Sequence, residues 1–171
     1  LVNDTLDLAR GRVGGGIALE LKPTDLGELT QRVVAEHELN PKGARVSAEL
    51  QGDLRGSWDP ARLAQVISNL LGNALEHGAP GEPVLVTAHG DDAELVTMRV
   101  SNVGTVPAAV RARIFDPFGS RERVSTKGGL GLGLYIVQQA VQAHGGKVEL
   151  EPDDGGRTTF RLQLQRQRAA G

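Results

Sequence analysis

Two pairs of short alternating segments, each closed by a tight polar turn, constrain this chain more than any other feature. Residues 84–89 and 94–101 alternate in hydropathy around Gly90-Asp91-Asp92, a turn composition that reverses the chain and marks a β-hairpin. A second pair, 147–150 and 158–164, surrounds Asp153-Asp154-Gly155-Gly156. Strands joined this tightly are antiparallel neighbours, because parallel neighbours need a crossover of about a dozen residues or more. The chain is therefore expected to build an antiparallel or mixed sheet.

The remaining segments supply helices to cover it. Residues 17–21 read as a short strand. A helix then opens at Thr24 or Asp25, with Glu28 in its first turn, and stops at Asn40-Pro41-Lys42-Gly43. Residues 44–50 alternate, with Val46, Ala48 and Leu50 on one face. Asp59-Pro60 begins a second helix, a capping residue followed by Pro in the first turn, that runs to about His77. Residues 108–114 form a short helix, 119–130 are polar and Gly-rich, and 131–144 form a third long helix closed by Gly145-Gly146. The order β-α-β-α-β-β-α-β-β predicts an α/β fold: a two-layer sandwich whose mixed, mostly antiparallel sheet is covered by three main helices.

At 171 residues the chain suits one domain with a real core, and 39% hydrophobic with 23% charged residues fits a folded protein. The absence of Cys excludes a disulfide scaffold, a thiolate zinc site and a Cys nucleophile. A net charge of -2 gives no footprint for nucleic acid or an anionic membrane. Val2, Leu6 and Ala9 lie at helical spacing with no cap before them, so residues 1–13 read as the end of a helix that starts upstream. Gly14-Gly15-Gly16 reads as a hinge, 17–165 as the folded domain, and the polar end from Gln163, with 166–171 as its tail, as loose.

Two local patterns carry candidate chemistry. Asn69, Asn73, Glu76 and His77 fall on one side of the second helix, beside the apolar stripe of Leu63, Val66, Ile67, Leu70, Leu71 and Ala74. Amide oxygens at such a margin can complete a Mg²⁺ shell alongside phosphates and water. They equally suit border asparagines bonded to nearby backbone. Further on, Gly128-Gly129-Leu130-Gly131-Leu132-Gly133-Leu134 runs into a helix. Alternating Gly allows close approach, and a helix start presents free N–H groups, which together suit a phosphate. Arg121, Arg123 and Lys127 precede this turn in a segment able to fold over a nucleotide as a positively charged lid. A plain flexible loop is the competing reading.

Four patterns in order make the chain recognisable. Asn69-Leu70-Leu71-Gly72-Asn73-Ala74-Leu75-Glu76-His77 resembles the N box of sensor histidine kinases, and Val100-Ser101-Asn102-Val103-Gly104-Thr105-Val106-Pro107 their first glycine box. Ile114-Phe115-Asp116-Pro117-Phe118 is similar to the F box, and the run from Gly129 to Leu134 to the second glycine box. The run Gly-Gly-Leu-Gly-Leu-Gly-Leu-Tyr-Ile most resembles phytochrome-like members.

This resemblance implies the ATP-binding sandwich shared with gyrase, Hsp90 and mismatch-repair ATPases (the GHKL or Bergerat fold), with ATP and Mg²⁺ as cofactors. It implies catalytic positions at Asn69 and Asn73, with Asn73 on the metal and Asn69 close to the phosphates. It implies His77 near the adenine, Asn102 accepting from the adenine amino group, and Gly104 admitting the base. The N–H groups of Leu132, Gly133 and Leu134 would cradle phosphate, flanked by Gly129 and Gly131. Arg121, Arg123 and Lys127 would serve the lid, and Phe115 and Phe118 would anchor it, a role compatible with simple core aromatics. The acceptor His lies upstream in the family. His37, His89 and His144 accordingly read as structural. The implied partners are the upstream dimerisation and phospho-acceptor domain, in a homodimeric parent, and a response regulator. The implied location is cytoplasmic, without membrane contact from this fragment.

Three departures point to weaker nucleotide binding. Asn102 replaces the usual Asp, and a neutral hydrogen bond is roughly half as strong as a charge-assisted one. The first glycine box lacks its second Gly. Glu76 stands where a cation is common, and repels phosphate unless it turns outward or pairs with the lid cations. They also imply a parent that works chiefly as a response-regulator phosphatase. The competing readings are a docking module that has lost nucleotide binding and a Ser/Thr anti-sigma-factor kinase on the same fold. Asn at position 69, in place of Glu, argues against the hydrolysing ATPases.

Overall fold

The computed structural model describes residues 16–38, 45–118 and 131–166. Strand β1 (Lys22–Asp25) leads into helix α1 (Leu26–His37), followed by β2 (Val46–Gly52) and β3 (Arg55–Trp58). Helix α2 (Pro60–His77) precedes the hairpin of β4 (Val84–Gly90) and β5 (Leu95–Val103). The short α3 (Ala108–Arg111), α4 (Gly133–Ala143) and a second hairpin, β6 (Lys147–Leu150) with β7 (Arg157–Gln165), complete the order.

The main sheet has five strands in the order β2-β4-β5-β7-β6, with only β2 and β4 parallel. Its register aligns the alternating apolar residues into rows. Ala48, Val86, Val100, Phe160 and Leu150 form one row across the five strands. Leu50, Ala88, Met98, Leu162 and Val148 form the next. A slip of one residue would turn either row to solvent, so burial fixes the register. Helices α1, α2 and α4 cover this face, and α2 packs against both of the others. Leu63, Val66, Ile67, Leu70 and Leu71 of α2 are buried at its centre. The opposite face carries Arg99, Arg161, Glu149 and Glu151, joined in ion pairs.

Two readings are corrected. Residues 17–21 are not a strand. The first strand is β1, which pairs with β3 in a separate two-stranded sheet, Lys22 opposite Trp58 and Asp25 opposite Arg55. Beyond Trp58 the chain turns into α2, so the ladder ends at Lys22, and the Glu20 N–H donates to the Asp59 carboxylate in place of a strand. The sequence signal for β3 was weak because Arg55-Gly56-Ser57-Trp58 has one large apolar residue and no alternation. The polar end is also not loose at its start. Residues 163–165 finish β7 with Leu164 buried, and Arg166 donates to the carbonyls of Asp53, Arg55, Gly90 and Asp92. The expected helix stub, most of the hinge, the stop at 40–43 and the last five residues lie outside the described residues. No helix among the described residues is long and apolar enough to cross a membrane.

Candidate functional site

The second half of α2, the start of α4 and the end of β5 meet at one end of the sandwich. Helix α2 begins where expected, with Asp59 as N-cap accepting from the Arg62 N–H at 3.1 Å and Pro60 in the first turn. Its apolar side is buried, which holds Asn69, Asn73 and His77 half-buried at the margin while Glu76 is exposed. Asn69 Nδ2 donates to the carbonyl of Gly133 at 3.3 Å. This bond brings the asparagine stripe against the glycine-rich turn. The half-buried Asn73 amide makes no hydrogen bond to another described residue.

Leu132 and Leu134 are buried, whereas Gly133 between them is exposed. The two leucines thus anchor the turn and leave its backbone at the surface. No side chain among the described residues caps the N-terminus of α4. Its first N–H groups and the positive end of the helix dipole therefore suit an anion. Gly133 also leaves room, since an added Cβ would meet nothing closer than Asn69 Cγ at 3.9 Å.

At the end of β5 the inward-facing row changes from apolar to polar. Asn102 is 3% exposed and lies opposite Thr158 of β7. Asn102 Nδ2 donates to the Val103 carbonyl at 3.1 Å, which leaves Oδ1 as its acceptor. Thr158 Oγ1 donates to the Gly104 carbonyl at 2.7 Å, and the Gly104 N–H donates to Gly156 at 2.8 Å. Gly104 holds φ at 135°, and a Cβ there would stand 3.2 Å from the His77 carbonyl and 3.4 Å from Asn102 Nδ2. Glycine is thus needed where the end of α2 approaches the end of β5. The Ala79 N–H to Val103 carbonyl bond, 2.9 Å, secures the same junction.

The structure brings Asn69, Leu132, Gly133 and Leu134 together, and places His77, Asn102 and Gly104 around a second polar corner one turn of α2 beyond Asn73. Phe115 lies edge-on to Phe160, with ring centres 5.9 Å apart at 76°. Phe118 is 36% exposed with φ at 64°, and its N–H donates to Gly131 at 3.2 Å. That bond joins the two chain positions flanking 119–130. Arg121, Arg123, Lys127 and Gly129 lie outside the described residues.

Thr158 was missed by sequence reasoning. Its signal is parity, because Thr158 occupies an inward position in the series with Phe160, Leu162 and Leu164, where an apolar residue is otherwise expected.

These groups fit a nucleotide by their chemistry: an amide acceptor at a buried corner, a glycine approach, and uncapped helix N–H groups. No cluster of three or more His, Asp or Glu fit to hold a metal occurs among the described residues. A divalent ion here would need phosphate oxygens to complete the shell offered by the Asn amides. The carboxyls that the fold holds below their usual range, at Asp53, Asp59, Asp92 and Glu149, lie elsewhere. The arrangement therefore suits positioning and charge neutralisation. A separate cavity of about 840 Å³ at the other end of the sheet is bordered by Leu21, Pro23, Asp53, Asp91, Asp92 and Arg166. Its three carboxylates stand against two guanidiniums, Arg55 and Arg166, which bond to Asp53 and to the carbonyls of this end.

Residues 58–168 match the family described as histidine kinase-, DNA gyrase B- and HSP90-like ATPases. The chain is 35% identical to a bacteriophytochrome of Pseudomonas aeruginosa over 96% of its length and 23% of the relative's. It is 36% identical to the sensor protein DivL of Caulobacter vibrioides over 95% of its length and 21% of the relative's. It thus spans about a quarter or less of these relatives. The nucleotide-free catalytic domain of the histidine kinase ThkA superposes with a TM-score of 0.74 at 28% identity, covering 86% of this chain and 99% of that one. Full-length ShkA in complex with AMPPNP superposes with a TM-score of 0.80 at 30% identity, covering 99% of this chain and 36% of that one. The fold is thus shared with known histidine kinase catalytic domains, and the chain belongs to the histidine kinase-, DNA gyrase B- and HSP90-like ATPase family as an ATP-binding catalytic domain of the sensor histidine kinase type.

Proposed function

We propose that this chain binds Mg-ATP and presents its γ-phosphate to a phospho-acceptor His on an upstream dimerisation domain of the same parent. The reading rests on one observation above the others, the Asn69 to Gly133 bond that sets the asparagine helix against the uncapped start of α4. Bound Mg-ATP supplies the transferable phosphoryl group and the metal charge that neutralises it. Asn73 offers its amide oxygen toward the metal, Asn69 lies close to the phosphates, and the N–H groups of Leu132, Gly133 and Leu134 donate to phosphate oxygens. Asn102 Oδ1 accepts from the adenine amino group, Gly104 admits the ring, and His77 borders it. Arg121, Arg123 and Lys127 add positive charge, and Phe115 and Phe118 hold the segment that carries them. A response regulator is the onward partner.

The neutral Asn102 and the acidic Glu76 make the affinity modest, in keeping with a parent that acts mainly as a response-regulator phosphatase. Calorimetric titration of the 171-residue chain tests this. Mg-ATP should bind with Kd above about 1 µM, equivalent to less than about 8 kcal/mol. Submicromolar binding overturns the weak-affinity part. No thermal shift with millimolar Mg-ADP overturns the nucleotide reading and leaves a docking module.

A further inference from the structure

Helices α2 and α4 carry the candidate nucleotide groups at one end and a buried tie at the other. His144 is fully buried at the C-cap of α4. Its Nδ1 lies 2.7 Å from the Ala140 carbonyl, so this nitrogen carries the proton and Nε2 is left as an acceptor. Nε2 receives the backbone N–H of Asp59 at 3.0 Å, at the N-cap of α2. The Asp59 carboxylate in turn accepts from Arg62 within α2 and from the Glu20 N–H, 2.9 Å, in the segment leading into the domain. Burial pushes the Asp59 carboxyl up, but the Glu20, Arg62 and Ala61 amides bring it below its usual value. It therefore remains a charged acceptor.

The two helices are thus tied twice. The near tie joins Asn69 to Gly133, and the far tie joins Asp59 to His144. The ties are ten residues apart on α2 and eleven on α4, spans of about 15 and 16 Å at helical rise, so they match. Beyond His144 the chain is clamped to the sheet. A Cβ on Gly146 would collide with the Gln163 carbonyl of β7, and the Gly146 N–H donates to Val141. With its far end held this way, α4 cannot slide along α2 without breaking the His144 bond.

We infer that His144 is a positioning residue for phosphate binding, because its bond to the Asp59 amide sets how far α4 projects its N–H groups toward Asn69 and Asn73. The inference rests on the nucleotide reading above. It differs from a purely structural role in placing the loss on the phosphates and sparing the base, since Asn102 and Gly104 are held by β5 and β7, and the Ala79 to Val103 bond fixes the end of α2 beside them.

Two substitutions in the full chain separate these roles. Asn at 144 can still bond the Ala140 carbonyl but cannot reach Asp59, whereas Gln can carry an acceptor to the position of Nε2. His144→Asn is expected to weaken Mg-ATP at least fivefold by calorimetry while adenosine binding stays within twofold. Without ligand, it should speed amide hydrogen exchange over residues 136–140, whose N–H groups bond within α4, at least tenfold and leave β5 unchanged. His144→Gln should restore both. His144→Met, which fills the site without an acceptor, takes the place of Asn if that variant does not fold. Equal weakening of ATP and adenosine, wild-type behaviour of the Asn or Met variant, or failure of Gln to restore overturns the inference. If the unsubstituted chain takes up no nucleotide, the functional reading falls, and the exchange over residues 136–140 alone decides this one.

Discussion

The two ends of the sandwich treat polar groups in opposite ways. At the end bearing β3 and the β4–β5 turn they satisfy one another. The Arg166 side chain is 10% exposed and donates to four backbone carbonyls. Asp92 caps the turn through the Glu94 and Leu95 N–H groups, and Asp53 pairs with Arg55. Gly90 belongs to this closure as well as to the hairpin, because a Cβ there would collide with the Asp53 carbonyl beside Arg166. At the other end the start of α4 has no side-chain cap among the described residues, Asn73 bonds none of them, and Gly104 replaces a side chain with space. One end spends its polar groups on cohesion and the other keeps them for a ligand. Substitutions at the first should therefore move stability, and at the second affinity.

That division can be broken most directly at Arg166. Arg166→Met strips a charged donor from four carbonyls and should lower stability by about 2–3 kcal/mol, while nucleotide affinity stays within about twofold. Urea unfolding and calorimetry measure both. A large affinity loss at unchanged stability would dissolve the distinction. Asn73→Ala tests the opposite end, with at least a tenfold loss of Mg-ATP affinity, or about 1.4 kcal/mol, and stability within about 0.5 kcal/mol. A smaller gain is expected from Glu76→Lys, which should tighten Mg-ATP about threefold and lose that advantage in high salt. Unchanged affinity would mean that the exposed Glu76 faces away from the phosphates.

The least effect belongs to acid titration. The Arg55 guanidinium and N–H hold the Asp53 carboxyl at about 2, below the ordinary value of 3.8. Because this folded value is depressed, its contribution is present above pH 3.8 and is lost as pH falls toward 2. Asp53→Asn should flatten that part of the stability profile and lower the range above it evenly, with no change of slope there.

Much of the fold was legible because burial writes itself into spacing. The hairpin strands, the start of α2 at Asp59-Pro60 and its end at His77 all follow from alternation, helical period and capping chemistry. Strand β3 was not legible, since a four-residue ribbon with one buried Trp has no period to detect. At the site, Asn69 and the glycine turn stood out by composition, whereas Thr158 became visible only once its strand register set it opposite Asn102. His144 read as a structural histidine before a glycine stop. Its tie to Asp59 spans 85 residues and exists only because α2 and α4 pack side by side.

The sequence by itself determined most of the element types, the mixed sheet and the chemistry on offer, since local periodicity and residue identity are properties of the chain. Tertiary structure decided which groups meet. Asn69 reaches Gly133 across 64 residues, Thr158 reaches Gly104 across 54, and Arg166 closes on Asp53 across 113. Such bonds depend on strand order and helix packing, which balance burial over the whole core, and no local pattern encodes them.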